Sequence, residues 1–281
     1  MMSSPLPEFL PRQTNTTRAP GDMHILNQTM ERATLFGSIA DEYDRHRPTY
    51  PQEMWDDLFS FADLTRATVL EVGCGTGLAT AELAQHELDI TAIDADPRML
   101  EVARRRQLPG VRFSESKFET YQGGPFDLIF AGSSWHWVDP DRAPAHVASL
   151  LVPGGLLAVA WNVPALGDLP FAEDLHDVYE KLAPDIVESP SVMWHKDQSQ
   201  HQSRIADSGL FEEPISHTYQ WSISVSPDGY TAIISTHSDH LLLGEERLAQ
   251  LLPQIRDVVA AHGEVVDFPY RTIMYLARLK A

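Results

Sequence analysis

Residues 68–94 read TVLEVGCGTGLATAELAQHELDITAID, and this stretch decides the fold. Val69, Leu70 and Val72 form an apolar run that predicts one buried strand, and a helical apolar pattern follows the glycines. A second apolar run at 90–93 predicts another strand, which ends at Asp94. The sequence therefore predicts a strand, a glycine turn, a helix and a second strand with an acidic side chain at its tip.

The glycine turn suits a nucleoside ligand. Glycine has no Cβ, so a ligand can approach the backbone closely, and Asp94 can accept hydrogen bonds from ribose hydroxyls. A dinucleotide site would require G-x-G-x-x-G, whereas the glycines here lie at 73, 75 and 77, and Glu71 would repel a pyrophosphate. S-adenosylmethionine (SAM) carries a ribose, an ammonium and a sulfonium without any phosphate, and it therefore fits this turn.

The pattern E-x-G-x-G-x-G followed by Asp94 resembles the class I SAM-dependent methyltransferases. The resemblance implies an α/β fold, with a Rossmann-like, seven-stranded, mostly parallel sheet, helices on both faces and a helical cap over the active site. It also implies that SAM is the cofactor. The alternative is a glycine turn that only permits close packing of a strand on a helix.

A second segment narrows the resemblance. A predicted strand at 126–130 is followed by AGSSWHWVDP, and ligands bind outside the carboxyl ends of parallel strands. Residues 133–137 are therefore predicted to lie near the chemistry. The order HWVDP, helix, PGG and an apolar strand ending in WN resembles the trans-aconitate methyltransferase-like branch of small-molecule methyltransferases. This resemblance covers residues 33–162 well and the rest by layout only.

The resemblance assigns cofactor contacts to the glycine turn, to the segment before the first strand and to the loops after later strands. These are Tyr43, Arg47, Glu71, Gly73, Cys74, Gly75, Thr76, Gly77, Asp94, Ala95, Met99, Lys117, Phe118 and Ser133. The predicted substrate contacts are Ser134, Trp135, His136, Trp161, Asn162 and Trp194. The chain departs from the family pattern at Lys117, which stands where the family has an acid and cannot accept a hydrogen bond from the adenine amine.

His136 is the candidate catalytic residue, and three roles are open for it. A free histidine titrates near neutrality, so it suits a general base if the nucleophile is still protonated. A carboxylate nucleophile would need no base, and His136 would then only bind the substrate by a hydrogen bond. The third role is to orient its loop. The neighbouring indoles of Trp135, Trp137 and Trp161 either hold the sulfonium or fill the core.

Metal binding is not predicted. His237 and His240 flank Asp239, but no third and fourth ligand stand at a suitable spacing, and we expect these side chains to line the pocket. Cys74 is the single cysteine, which excludes an intrachain disulfide.

Composition limits the partners. The 40 acidic against 21 basic residues give a net charge of −19, which argues against a nucleic-acid substrate. No apolar run approaches the roughly 18 residues that span a membrane, and the first residues do not resemble a signal peptide. We expect a cytoplasmic protein that acts on a small molecule, without a nucleic-acid or membrane partner. The sequence does not predict the oligomeric state.

Residues 1–28 are predicted to be a flexible segment before a methyltransferase domain at 29–281, in which 163–262 include a substrate cap. The expected function is methyl transfer from SAM to a small-molecule acceptor, such as a carboxylic acid or a secondary metabolite. Two alternatives stay open. An enzyme of this fold can cyclise or cleave SAM itself to methylthioadenosine, and a SAM-binding protein can lack catalysis.

Overall fold

Seven strands form one sheet in the described part of this computed structural model, which comprises residues 36–187 and 199–281. They are β1 (Thr68–Val72), β2 (Asp89–Asp94), β3 (Val111–Glu115), β4 (Phe126–Gly132), β5 (Leu151–Pro164), β6 (Ile215–Val225) and β7 (Val266–Arg278). Their spatial order is β3-β2-β1-β4-β5-β7-β6. The first five strands pair in parallel, and β7 runs antiparallel to both of its neighbours. This architecture confirms the predicted α/β fold with a mostly parallel seven-stranded sheet.

Eleven α-helices accompany the sheet in the described residues. They are α1 (Ala40–His46), α2 (Gln52–Phe61), α3 (Leu78–Leu83), α4 (Pro97–Arg105), α5 (Ala143–Leu150), α6 (Ala172–Leu182), α7 (Pro184–Val187), α8 (Ser199–Asp207), α9 (Pro227–Ser235), α10 (Ser238–Leu241) and α11 (Glu245–Ala261). The start of α4 follows the sequence rule, because Asp96 caps it by accepting a hydrogen bond from the Arg98 amide at 3.0 Å. No helix among the described residues has the length and apolar character needed to cross a membrane.

The sheet is buried on both faces because its central strands alternate between two apolar clusters. Val69 and Leu128 pack on one face with the helices α2 and α3, whereas Leu70 and Ile129 pack on the other face with α5. Strands buried on both faces read as continuous apolar runs, and that is why the runs in β1 and β4 were visible in the sequence.

A third apolar cluster lies over the carboxyl edge of the sheet, beyond β5. It joins α6, α9 and α11 to the first residues of β7, including Phe268 and Tyr270. Because β7 is antiparallel to β5, its first residues extend past the end of β5 and carry these helices. The helix α11 continues through Pro253.

Candidate functional site

The glycine turn connects β1 to α3 at the carboxyl edge of the sheet. Gly73, Gly75 and Gly77 all have positive φ angles, of +67°, +57° and +81°. The Asp94 carboxylate at the end of β2 accepts a hydrogen bond from the Gly75 amide at 2.8 Å. The turn and the acid that the sequence singled out are therefore in direct contact.

Gly73 is required by packing as well as by backbone conformation. A Cβ on Gly73 would lie 2.5 Å from the Ser134 Cβ, which belongs to the loop after β4. Ser134 is held there by a hydrogen bond from its hydroxyl to the Val72 carbonyl at 2.5 Å. The close-packing role that the sequence left as an alternative is thus present at Gly73, and it brings the segment after β4 against the turn.

Glu71 is a buried carboxylic acid at the end of β1. Its side chain is 1% exposed, and its Oε2 atom has no hydrogen-bond partner. Burial raises the pKa of Glu71 to about 8, the Asp94 charge adds to the increase, and the Thr80 hydroxyl opposes it. A cation placed at Glu71 would restore the charged form, and this buried acid therefore fits the positively charged end of SAM.

Asp94 keeps its hydrogen-bonding capacity although it already organises the turn. Its carboxylate accepts from the amides of Gly75 and Asp96, both at 2.8 Å. Burial raises the pKa of Asp94, and the backbone amides oppose that increase by favouring the charged form. A carboxylate offers about four lone-pair sites, so Asp94 can still accept from a ribose hydroxyl.

The segment before β1 packs against the turn from the N-terminal side. Tyr43 and Ala40 form an apolar cluster with Met99, whose methyl group lies 3.3 Å from a Cβ built on Gly75. The Arg47 guanidinium lies 5.2 Å from the centre of the Tyr43 ring and donates a hydrogen bond to the Thr236 carbonyl of the α9 end at 3.0 Å. Arg47 therefore stands between the predicted cofactor site and the helices beyond β5.

Tyr50 connects this segment to the end of β4. Its hydroxyl and the Ser133 hydroxyl are hydrogen-bonded at 2.9 Å, and a Cβ on Gly132 would lie 2.8 Å from the Tyr50 oxygen. Ser133 itself has a φ of +52°, and its amide donates to the Ala160 carbonyl at 2.7 Å. The carboxyl ends of β4 and β5 and the 47–51 segment thus meet at one place.

The remaining predicted cofactor contacts divide into exposed and buried residues. Lys117 and Ala95 are exposed. Phe118 is 4% exposed and packs between Trp135, at 5.8 Å between ring centres, and His146, at 4.8 Å. Thr76 is also buried, and its carbonyl accepts a hydrogen bond from the Arg106 side chain.

His136 lies beside the buried indole of Trp161. The Trp161 N–H donates to Nδ1 of His136 at a long distance of 3.4 Å. Trp161 is 1% exposed and Trp135 is 5% exposed, and both belong to the core on that face of the sheet. Trp137 is less buried, with its ring 4.3 Å from the His136 ring and 6.4 Å from Phe36.

Asn162 joins three segments through its side-chain amide. The amide nitrogen donates to the Thr49 carbonyl at 3.0 Å, and the amide oxygen accepts from the Thr272 hydroxyl at 2.6 Å. This arrangement holds the 47–51 segment on the end of β5. Trp194, the remaining predicted substrate contact, lies in 188–198, outside the described residues.

Sequence reasoning missed one buried residue near this edge. Tyr270 on β7 is 2% exposed and pairs in register with Pro164, two positions past Asn162 on β5. Its hydroxyl has no hydrogen-bond partner. The position of Tyr270 relative to the end of β5 depends on the pairing of β5 with β7, which no local pattern in the sequence indicates.

A cavity of about 460 Å³ lies elsewhere in the fold. Residues at the amino ends of strands, including Thr68 of β1 and Phe126 of β4, line this cavity. Ligands of open parallel sheets bind at the opposite, carboxyl edge, so we place the functional site at the glycine turn. Within the described residues no group of three or more His, Cys, Asp or Glu side chains is arranged to hold a metal ion.

Cys74 provides a direct test of the burial of the turn. Its side chain is 6% exposed, and burial, together with the nearby Glu71 and Asp94 charges, raises the pKa of its thiol. Because the thiolate is the reactive form, we expect iodoacetamide to modify the native protein at pH 8 at least about tenfold more slowly than the unfolded chain. Mass spectrometry follows the single modification, and equal rates in the two states would contradict the buried position.

The sequence also matches known proteins. Residues 69–155 match the family described as "Methyltransferase domain". An uncharacterized methyltransferase of Mycobacterium tuberculosis is 27% identical over 252 residues, which cover 87% of this chain and 95% of that protein. The trans-aconitate 2-methyltransferase of Deinococcus radiodurans is 38% identical over 105 residues, which cover 36% of this chain and 40% of that protein.

Two solved structures share the fold. A protein from Anaeromyxobacter dehalogenans that is assigned to the type II methyltransferases aligns over 84% of this chain and 99% of its own, with a TM-score of 0.58 and 22% identity. The phosphoethanolamine N-methyltransferase 2 of Haemonchus contortus, solved with phosphomonomethylethanolamine and S-adenosylhomocysteine, aligns over 91% of this chain and 60% of its own, with a TM-score of 0.54 and 13% identity.

Proposed function

Because this chain is a class I SAM-dependent methyltransferase with SAM as its cofactor, we propose that it methylates a small molecule, and specifically a carboxylate of that molecule. Glu71 is the proposed contact to the positively charged end of SAM, and Asp94 is the proposed contact to its ribose. Bound SAM supplies a methyl group that its sulfonium already activates. The remaining task of the chain is to align the acceptor and exclude water.

The contact between His136 and Trp161 carries the proposal for the acceptor. The indole N–H can only donate, so Nδ1 of His136 accepts, and the hydrogen of the neutral ring is then on Nε2. A ring in this form donates a hydrogen bond through Nε2 and does not remove a proton there. A carboxylate accepts such a bond and needs no base before it attacks a methyl group. The Deinococcus relative is named for trans-aconitate, which is a carboxylic acid, and this name agrees with the proposed chemistry.

Variants of His136 separate binding from base catalysis. We expect His136→Ala to lower kcat/KM about 10- to 100-fold for a carboxylate acceptor, because a hydrogen bond to a charged group is lost. We expect His136→Gln, which keeps an N–H donor near the Nε2 position, to recover part of this loss. The measurement is kcat/KM from pH 6 to 9 for wild type and both variants.

A base at His136 would give a different result. Removal of a general base lowers the rate about 10²- to 10⁴-fold, and an amide cannot replace it. Equal loss in His136→Ala and His136→Gln, together with a wild-type rate that rises with pH, would contradict the proposed contact.

Incubation of the protein with SAM and a panel of small acids tests the reaction itself. The panel contains propionate, benzoate, glutarate and trans-aconitate, each paired with its neutral methyl ester. S-adenosylhomocysteine formed only in the presence of an acid, together with the corresponding monomethyl ester, is the expected result. Methylthioadenosine formed from SAM without any acceptor would contradict methyl transfer and would show that the protein cyclises or cleaves SAM.

A further inference from the structure

The end of α4 packs directly on the glycine turn. A Cβ on Gly77 would lie 3.3 Å from the Ala103 Cβ and 3.4 Å from the Cδ atom of Arg106, the residue that follows α4. The Arg106 Nε atom donates a hydrogen bond to the Thr76 carbonyl at 2.8 Å, and Thr76 is 1% exposed. The Arg106 side chain therefore contacts the turn through both its aliphatic part and its guanidinium.

The same guanidinium also binds the helix α1. Its Nη2 atom donates a hydrogen bond to the carboxylate of Asp44, and the side chains of Arg106 and Asp44 are only 24% and 29% exposed. A hydrogen bond between two charged groups is stronger than a neutral one, and partial burial reduces its screening by salt. One side chain thus bridges α1 and the backbone of the glycine turn.

This bridge fixes a part of the predicted cofactor site. Tyr43, the neighbour of Asp44 on α1, packs in the same apolar cluster as Met99, whose methyl group lies 3.3 Å from a Cβ built on Gly75. Apolar contacts are not directional, so they allow α1 to shift along α4. Directional hydrogen bonds from Arg106 therefore define where Tyr43 stands relative to the turn.

A neighbouring arginine provides an internal comparison. Arg105 also joins α4 to α1, because its Nη1 atom lies 2.6 Å from the Asp41 carboxylate, but the two side chains are 55% and 61% exposed. Among the described residues, Arg105 donates hydrogen bonds to the acids Asp41 and Glu101 and to no group of the turn. Exposed ion pairs of this kind contribute little to stability.

The two hydrogen bonds of Arg106 require an arginine. A cation at the end of a helix interacts favourably with the helix dipole, and a lysine would do so equally well. The contacts with Thr76 and Asp44 use two different nitrogen atoms of one planar group, whereas a lysine has a single nitrogen on a flexible stem. The variant Arg106→Lys therefore keeps the charge and removes the bridge.

We propose that Arg106 is a positioning residue for SAM binding, which holds α1 and Tyr43 against the glycine turn by bridging Asp44 and the Thr76 carbonyl. Arg106 acts through these two groups. The proposal depends on SAM as the cofactor and is independent of the acceptor, so it is separate from the proposed methylation of a carboxylate.

Titration calorimetry with S-adenosylhomocysteine tests the bridge without turnover. The variants are Arg106→Lys, Asp44→Asn and their double variant, and the matched control is Arg105→Lys at the same interface. We expect the Kd to rise about tenfold in Arg106→Lys and in Asp44→Asn, because a charge-assisted hydrogen bond is lost or misplaced in each. The Kd of Arg105→Lys should stay within about twofold of wild type.

The double variant tests whether the two residues act together. Both single changes break the same bridge, so the Kd of the double variant should exceed the larger single value by no more than about twofold. A Kd raised about 100-fold, the product of two independent losses, would contradict a shared bridge.

Hydrogen exchange tests the position of α1 directly. The Arg47 amide donates to the Tyr43 carbonyl at 2.9 Å and closes this helix. With S-adenosylhomocysteine bound, we expect the amides of 44–47 to exchange about tenfold faster in Arg106→Lys than in wild type. Amides of β1 and β4 should exchange at the wild-type rate, which also shows that the variant is folded and that the change is local.

Three further results would overturn the proposal. Wild-type affinity in Arg106→Lys would show that positive charge alone is sufficient. A loss in Arg106→Lys without any loss in Asp44→Asn would remove α1 from the mechanism, and faster exchange throughout the sheet would reduce Arg106 to a residue of general stability. The acceptor is tested separately, since the expected changes in Kd, combined with no methylation of any acid by wild type, would refute only the proposed reaction.

Discussion

Gly73→Ala will destabilise the protein by about 2–5 kcal/mol, the largest effect that we expect from adding one methyl group to the described residues. Two costs add. A non-glycine residue at a φ of +67° costs roughly 1–2 kcal/mol, and the added Cβ, 2.5 Å from the Ser134 Cβ, overpacks the turn by a further 1–3 kcal/mol or so. Urea denaturation of the ligand-free protein measures the sum.

Gly154→Ala is the matched control for this effect. Gly154 has a φ of +76°, close to that of Gly73, but a Cβ there would meet no atom within 4 Å. It should therefore show only the cost of the backbone conformation, roughly 1–2 kcal/mol. A loss of stability in Gly73→Ala no larger than in Gly154→Ala would contradict the contact with Ser134.

A double variant locates the strain. Ser134→Gly removes the atoms that a methyl group on Gly73 would meet, although it also removes the hydrogen bond to the Val72 carbonyl. We expect Gly73→Ala to cost at least about 1 kcal/mol less in the Ser134→Gly background than in wild type, which is the signature of two residues in contact.

Glu71→Gln will have opposite effects on the ligand-free protein and on SAM binding. The pKa of Glu71 is about 8 in the folded protein, above its ordinary value of 4.5, so the folded state binds the proton more tightly than the unfolded state. Stability contributed by this group is therefore present at low pH and is lost as the pH rises from about 4.5 through 8. Glu71→Gln should match wild type in stability near pH 5 and exceed it at pH 9.

SAM binding should show the reverse dependence. If the cation of SAM binds the charged form of Glu71, the carboxyl must release its proton below pH 8, and affinity then rises up to about tenfold per pH unit. Glu71→Gln should bind SAM weakly and without this pH dependence. The amine of SAM titrates in the same way in both proteins, so the difference between their pH profiles reports Glu71 alone. Calorimetry in buffers of different ionisation enthalpy measures the released proton.

An exposed acid is the control for these measurements. Glu87, on the loop before β2, has a side chain that is 86% exposed, and Glu87→Gln should leave both pH profiles unchanged. Wild-type SAM affinity that is independent of pH between 6 and 8, with no proton released, would show that Glu71 does not bind the cation.

Local patterns in the sequence were sufficient to predict several strands of the sheet and the glycine turn. The apolar runs in β1, β2 and β4 are continuous because these strands are buried on both faces. Such runs can be recognised in the sequence without knowing which strands pair with them. Glycines at 73, 75 and 77 and the acid at 94 lie close along the chain, so their contact follows from one strand–turn–helix unit. The cap of α4 is also a local feature, since Asp96 accepts from the amide of a residue only two positions away.

The environment of each side chain at the site required the tertiary structure. Glu71 reads as an ordinary acid in the sequence, and its burial in the folded chain, together with the nearby Asp94 charge, raises its pKa. The sequence placed Asn162 near the substrate, whereas the folded chain shows its amide bonded to Thr49 and Thr272. The roles of His136 depended on which ring nitrogen is engaged, and the contact with Trp161 is made 25 residues away in the chain.

The sequence by itself determined the strand, glycine turn and helix at 68–83, because these depend on short-range patterns of burial and glycine. Through the family that this stretch resembles, it also indicated the fold and the cofactor class. Only the tertiary structure decided what lies above the carboxyl edge of the sheet. The contact between Arg47 and Thr236 joins residues 189 positions apart, and Tyr270 reaches the site through antiparallel pairing of β7 with β5. Such contacts depend on how separate elements pack, and no pattern within one segment encodes the partner in another.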